Sequence, residues 1–125
     1  MIPVIKDLKT DYVEVFFAKG SSTLDKAAKS RIDSVLTANK AEVAGVLVSG
    51  YTDAQGGDDL NLRLSERRVN AVIAYLRTKG IAASVFIPKY YGESAATQTE
   101  ETEKNGNQAD RRCTITIYSA KKTDI

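Results

Sequence analysis

Apolar residues recur at every second position in some stretches of the chain and at every third or fourth in others, and these two periods lay out its elements. Val13 to Phe17 is rich in β-branched and aromatic residues and predicts a first strand, ended by Gly20, Ser21 and Ser22. A helix is expected from near Thr23, because Leu24, Ala27, Ala28, Ile32, Val35 and Leu36 follow helical spacing. Asp25 in its first turn complements the helix dipole, and Asn39 marks its end. Val43 to Tyr51 predicts a second, mostly buried strand. Gly56-Gly57 turns the chain, and Asp58-Asp59 gives an acidic start to a long helix that runs to about Lys79 and stops at Gly80. Val85 to Tyr91 predicts a third strand, in which Pro88 favours an edge position or a local irregularity because it cannot donate to a ladder. Residues 92–110 read as a polar loop with a turn at Asn105-Gly106 and a solvated, mobile face of Glu93, Glu100, Glu101 and Glu103. Arg112 to Tyr118 is the fourth strand, and Ser119 to Ile125 a frayed tail.

The order β-α-β-α-β-β predicts an α+β fold, a two-layer sandwich of helices on a mixed sheet, with a strand order that the pattern alone does not fix. With 125 residues the chain fits one domain spanning residues 1–125, with its core in about 12–118 and short flexible tails. Rotation of the second helix at ~100° per residue gathers Leu62, Ser65, Val69, Val72, Ile73 and Leu76 into a buried stripe. Arg63, Glu66, Arg67, Asn70 and Arg77 fall on the solvated side. Arg68 falls on the flank of the stripe, near Asn61, Leu64, Ser65 and Tyr75, where partial desolvation strengthens its charge-assisted hydrogen bonds.

Charge and composition remove several functions. The 18 basic and 16 acidic residues are interspersed and leave a net charge of +2, so no basic stripe for nucleic acid is expected. Histidine is absent, which takes away the commonest general base near neutral pH and the commonest metal ligand. With no zinc-ligand cluster and no obvious pair of catalytic carboxylates, neither enzymatic activity nor a metal or cofactor is expected. The single cysteine, Cys113, allows no internal disulfide; alternation puts it with Ile115 and Ile117 on one face of its strand, as a small apolar core residue. The apolar runs are strand-sized, and no signal peptide or spanning segment is visible. The chain is therefore expected to be an excised or mature soluble portion, with Met1 added at its start.

The chemistry concentrates between Gly50 and Arg68, GYTDAQGGDDLNLRLSERR. Asp53 follows the second strand at its carboxyl end, where open sheets place ligands. Arg68 lies two turns into the helix. A carboxylate and a guanidinium opposed on rigid elements suit a small zwitterion bearing an ammonium and a carboxylate. Each also has a plainer reading: Asp53 as a turn aspartate bonded to its own backbone, Arg68 as the partner of Asp58 or Asp59.

Taken with Gly56, Asn61, Leu64-Ser65-Glu66-Arg67-Arg68, Tyr75-Leu76, Lys79-Gly80-Ile81, Tyr91-Gly92-Glu93 and Asp110-Arg111-Arg112, the Gly50-Tyr51-Thr52-Asp53 element closely resembles the signature of the OmpA-like peptidoglycan-binding domain family. The resemblance implies a four-stranded mixed sheet with the helices on one face. It also implies recognition of meso-diaminopimelate in the stem peptide of peptidoglycan, with Asp53 taking the ammonium and Arg68 the carboxylate; their separation of 68 − 53 = 15 residues stays in the family register. Asn61 is placed to reach the ligand or orient Arg68, Leu64 to pack on its methylene stem, and Thr52 and Ala18 through Gly20 to contribute backbone. Tyr51 is a cleft wall or a core residue, and Arg111 and Arg112 are sheet-edge salt bridges or supports beside the cleft. Two departures stand out. Ala18, Lys19 and Gly20 occupy a segment where many members carry an acidic or amide side chain; backbone N–H groups survive the change but the side-chain contact is lost, which leaves two alternatives, a weaker affinity or a preference of Lys19 for a different neighbouring carboxylate of the stem peptide. Asp110 replaces a common asparagine, which invites a contact with Arg111. The partner implied is peptidoglycan in the periplasm, in association with the outer membrane or cell envelope. A membrane is reached only through a part of the parent protein outside this chain, and a homodimer or an envelope protein partner stays open. The alternative is an envelope protein-interaction module with a vestigial wall site, for which Tyr90 and Tyr91 leave room.

Overall fold

A computed structural model describes residues 8–38, 42–53, 57–93 and 110–120. The elements run β1 (Leu8–Phe16), α1 (Lys26–Ala38), β2 (Glu42–Tyr51), α2 (Asp58–Thr78), a 3-10 turn (Ala83–Val85), β3 (Phe86–Gly92) and β4 (Arg112–Ala120). The four strands form one mixed sheet in the order β1-β4-β2-β3. Strand β4 is antiparallel to both β1 and β2, and β2 is parallel to β3. The fold is the expected α+β arrangement. Because β4 inserts between β1 and β2, the residues that open it arrive beside the ends of both neighbours.

Several boundaries differ from the sequence expectation. Strand β1 begins five residues early, and its ladder with β4 runs from Leu8 opposite Ala120 to Phe16 opposite Arg112. Lys9 and Asp11 hide this extension from a reading by apolar alternation, since a strand's length is set by the partner it finds. Ser119 is correspondingly no part of a frayed tail. It is fully buried, opposite Lys9 on one side and Val43 on the other. Helix α1 starts at Lys26, three residues later than expected, and Asp25 stands just before it: the Ala28 N–H donates to Asp25 Oδ1 at 2.8 Å. Asp25 thus acts as an N-cap and not merely as a first-turn charge. Pro88 lies in β3, an edge strand of the sheet. The predicted turn at Asn105-Gly106 and the acidic loop residues Glu100, Glu101 and Glu103 lie outside the described residues, as does Gly56.

The core lies between the inner face of the sheet and the helices. Val15, Val46, Val48, Cys113, Ile115 and Ile117 alternate inward and meet Ile32 of α1 and Val69, Val72 and Leu76 of α2. Cys113 is a free, fully buried thiol among them, and burial pushes its pKa up to about 12. Helix α2 approaches β2 closely at Gly50, where a Cβ would stand 2.5 Å from the Ser65 carbonyl oxygen and 2.7 Å from Val69 Cγ2. Only glycine permits that approach, so the first residue of the GYTD element sets the height of α2 over the sheet. Ser65 adds a polar tie, with Oγ donating to the Leu62 carbonyl at 2.7 Å and accepting from the Gly92 N–H at 3.2 Å. Leu62, expected in the buried stripe, is 47% exposed. There the end of β3 meets the helix through backbone: a Cβ on Gly92 would stand 3.2 Å from Leu62 Cα. Among the described residues no helix is long and apolar enough to cross a membrane.

Candidate functional site

The segments that follow β1 and β2, the residue just before β4 and the first half of α2 enclose a cleft of about 390 Å³. Asp53, Asn61, Leu64, Arg68 and Arg111 line it, with Lys19, Gly20, Leu60 and Arg67 also on its wall. Five of the residues expected from the sequence, Asp53, Asn61, Leu64, Arg68 and Gly20, are therefore brought together from positions up to 48 apart (68 − 20).

Arg68 is the most constrained side chain of the site. It lies on no flank: its exposure is 0%. Nε donates to the Ser21 carbonyl at 2.8 Å, Nη1 to the Tyr51 carbonyl at 2.9 Å and Nη2 to the Ala18 carbonyl at 3.3 Å, while the guanidinium carbon stands 5.0 Å from the centre of the Phe17 ring. Three loop-end carbonyls and an aromatic face thus replace water around the cation. Burial lowers its pKa to about 10; Arg111 and Arg67 act in the same direction, whereas Cys113 and Asp53 oppose them. The group remains charged at neutral pH. No acid among the described residues forms an ion pair with it, and Asp59 is exposed.

Asp53, 5% exposed, is opposite Arg111, whose Nη1 lies 3.1 Å from Asp53 Oδ2. Arg111 is itself held by Nε donating to the Phe17 carbonyl at 3.1 Å, and its own carbonyl accepts the Phe17 N–H at 2.8 Å. Arg111 therefore stands beside the cleft as a support for Asp53, and not at a sheet edge. Asp110 makes a different contact from the one expected: its Oδ1 lies 3.8 Å from Arg112 Nη1, because Arg111 is drawn inward to Asp53.

Other residues fall in places the sequence did not indicate. Asn61 orients Asp53 and Glu93, and not Arg68: Nδ2 donates to the Asp53 carbonyl at 3.4 Å and to Glu93 Oε1 at 3.1 Å. Glu93 is accordingly tied to α2 and is no part of a mobile face. Thr52 is buried and does not line the cleft; its N–H is taken by the Gly92 carbonyl at 2.8 Å and is not available to a ligand. Ala18 and Tyr51 act through their carbonyls on Arg68. The Tyr51 side chain is neither core nor cleft wall: half-buried, its ring stacks on Tyr91 at 5.2 Å and takes the Arg112 guanidinium at 4.2 Å. Alternation from Gly50, which faces α2, puts this cluster on the outer face of the sheet. Leu60 and Arg67 were not expected in the cleft; Arg67 is exposed, as rotation about the helix axis placed it, and it lines the cleft from that solvated side. The available signal was its position at the first half of α2, next to the glycine turn that follows β1.

The site presents a cation fixed by carbonyls and a carboxylate fixed by a second cation, both facing one cleft.

The sequence pattern of the OmpA family matches residues 16–112, and the chain belongs to that family. It is 32% identical over 117 residues to outer membrane protein P5 of Haemophilus influenzae, covering 86% of this chain and 33% of that protein. The chain thus spans about a third of that relative, and 47% of the probable lipoprotein YiaD of Escherichia coli, to which it is 34% identical over 82% of its length. The OmpA-like domain of FopA1 from Francisella tularensis has the same fold, with a TM-score of 0.70, 25% identity, and coverage of 95% of this chain and 79% of that one. These relatives are an outer membrane protein and a probable lipoprotein, so the family to which the chain belongs is one of the cell envelope.

Proposed function

We propose that the domain binds peptidoglycan non-covalently by clamping the free zwitterionic end of meso-diaminopimelate in the stem peptide. The observation that carries this reading is the buried guanidinium of Arg68, which faces the same cleft as Asp53 and has no acid within ion-pair distance among the described residues. A buried cation without a counter-ion is costly to the fold, so a ligand carboxylate completes what the protein leaves open. Arginine carries five N–H donors; three are taken by carbonyls, which leaves two, one on each of Nη1 and Nη2, for a carboxylate. Asp53, its carboxylate oriented by Arg111, accepts from the ligand's ammonium. Leu64 packs on the methylene stem between the two charged groups. Lysine offers the ammonium alone and leaves Arg68 unanswered, so the site discriminates by leaving a polar group unpaired when the wrong residue enters. In a longer envelope protein this grip acts as a tether to the wall.

Co-sedimentation with purified sacculi tests it. The domain is expected to pellet with sacculi from a diaminopimelate-containing wall and to stay in the supernatant when Asp53→Ala is substituted, with the circular dichroism spectrum unchanged. Equal pelleting of both proteins would turn the assignment toward another surface.

A further inference from the structure

Charge in the cleft is not balanced by the clamp alone. Lys19, Arg67, Arg68 and Arg111 contribute four positive charges to its lining against the one negative charge of Asp53, a surplus of three (4 − 1). Asp53 and Arg111 answer each other at 3.1 Å, and Arg68 awaits one carboxylate. Lys19 and Arg67 remain. Neither has an ion-pair or hydrogen-bond partner among the described residues, and both are exposed.

Their placement is built into the fold. Lys19 stands on the turn after β1, between Ala18, whose carbonyl holds Arg68, and Gly20, whose φ of +69° gives the turn its shape. Arg67 comes from α2, immediately before Arg68. Two independent elements therefore bring a cation each to the same cleft. Arg67 and Arg68 line the same cleft. A ligand with one ammonium and one carboxylate is neutral and leaves this surplus unmatched. A volume of about 390 Å³ also falls in the range of sites for whole small molecules, with room for more than one side chain.

We infer that Lys19 and Arg67 form a second anion subsite of the cleft, taking a second carboxylate of the same ligand: the free α-carboxylate of the D-isoglutamyl residue that precedes diaminopimelate in the stem peptide. The inference rests on the diaminopimelate reading and adds to it a preference for stem peptides in which that carboxylate is not amidated. The subsite is solvated, so its contribution is modest and salt-sensitive, unlike that of buried Arg68.

Calorimetric titration with two muropeptides tests it. Both contain meso-diaminopimelate; one carries D-isoglutamate and the other D-isoglutamine. The wild-type domain is expected to bind the free acid about fivefold more tightly at low salt, the upper range for an exposed ion pair. The Lys19→Ala/Arg67→Ala double variant should bind both alike and keep its rejection of a lysine-containing muropeptide. Equal wild-type affinity for the two peptides, with binding abolished in Asp53→Ala, would overturn the second subsite and leave the clamp standing. No wild-type binding to either would overturn both.

Discussion

Helix α2 solves two different problems along its length. From Val69 onward it buries Val69, Val72 and Leu76 completely against the sheet, and the partners are the valines and isoleucines of β2 and β4. One residue earlier it buries Arg68 as completely, among carbonyls and a ring. The C-terminal half is a solution for stability, because each apolar side chain removed from water is favourable. The N-terminal half, at Arg68, works against stability, because a cation is taken from water with no acid within ion-pair distance among the described residues. On the proposed reading the two halves divide the work: the apolar half holds the fold together, and the buried, carbonyl-held cation serves what the cleft binds.

Substitutions that separate the two halves sharpen this contrast. Leu76→Ala should cost about 3 kcal/mol of stability in denaturant unfolding, the midrange for a buried leucine, while muropeptide affinity of the folded protein stays within twofold of wild type. A simultaneous loss of affinity would mean that the core and the cleft are not separable.

High pH supplies a second separation. The folded pKa of Cys113 is raised from 9.0 to about 12, so above pH 9 the unfolded chain releases the proton first and stability falls as pH rises toward 12. By pH 10.5 this amounts to about 2 kcal/mol. Arg68 works with the opposite sign: its folded pKa of about 10 lies below its ordinary 12.5, so between these values the unfolded chain binds more protons and stability rises with pH. Unfolding of wild type and Cys113→Ala compared at pH 8 and pH 10.5 isolates the core thiol, and the variant should lose about 2 kcal/mol less. The same loss in both proteins would remove Cys113 as the source.

The smallest expected effect lies at the start of α1. Asp25 caps α1, four residues beyond the Ser21 carbonyl that holds Arg68. Asp25→Ala should cost about 1 kcal/mol in thermal or denaturant unfolding. Affinity should weaken slightly, since the carbonyls at Ala18 and Ser21 lose an anchor. An unchanged stability would show that the cap is not used.

The apolar half of α2 was legible from the sequence because burial there follows periodicity: Val69, Val72 and Leu76 recur at helical spacing and face the sheet as expected. Leu62 shares that spacing but is exposed, since the chain at Gly92 meets α2 through backbone, and nothing in a rotation angle reports where the facing layer ends. Asp53 and Arg68 were legible through their motif. Their surroundings were not. The carbonyls on Arg68 come from residues 17 to 50 positions away, and the Arg111 that orients Asp53 lies 58 positions on. Those contacts depend on β4 inserting between β1 and β2, a strand order that no local pattern encodes. For the same reason Asp110, adjacent to Arg111 in sequence, pairs with Arg112.

The most direct measurement is a calorimetric titration of wild type, Asp53→Ala and Arg68→Ala with a muropeptide containing meso-diaminopimelate, with a lysine-containing muropeptide as the control. Wild type should bind the first and not the second. Each substitution should weaken binding by about 100-fold or more, the cost of removing one partner of a desolvated charge pair. Binding of wild type to both peptides alike, or retained affinity in folded Arg68→Ala, would contradict a zwitterion clamp.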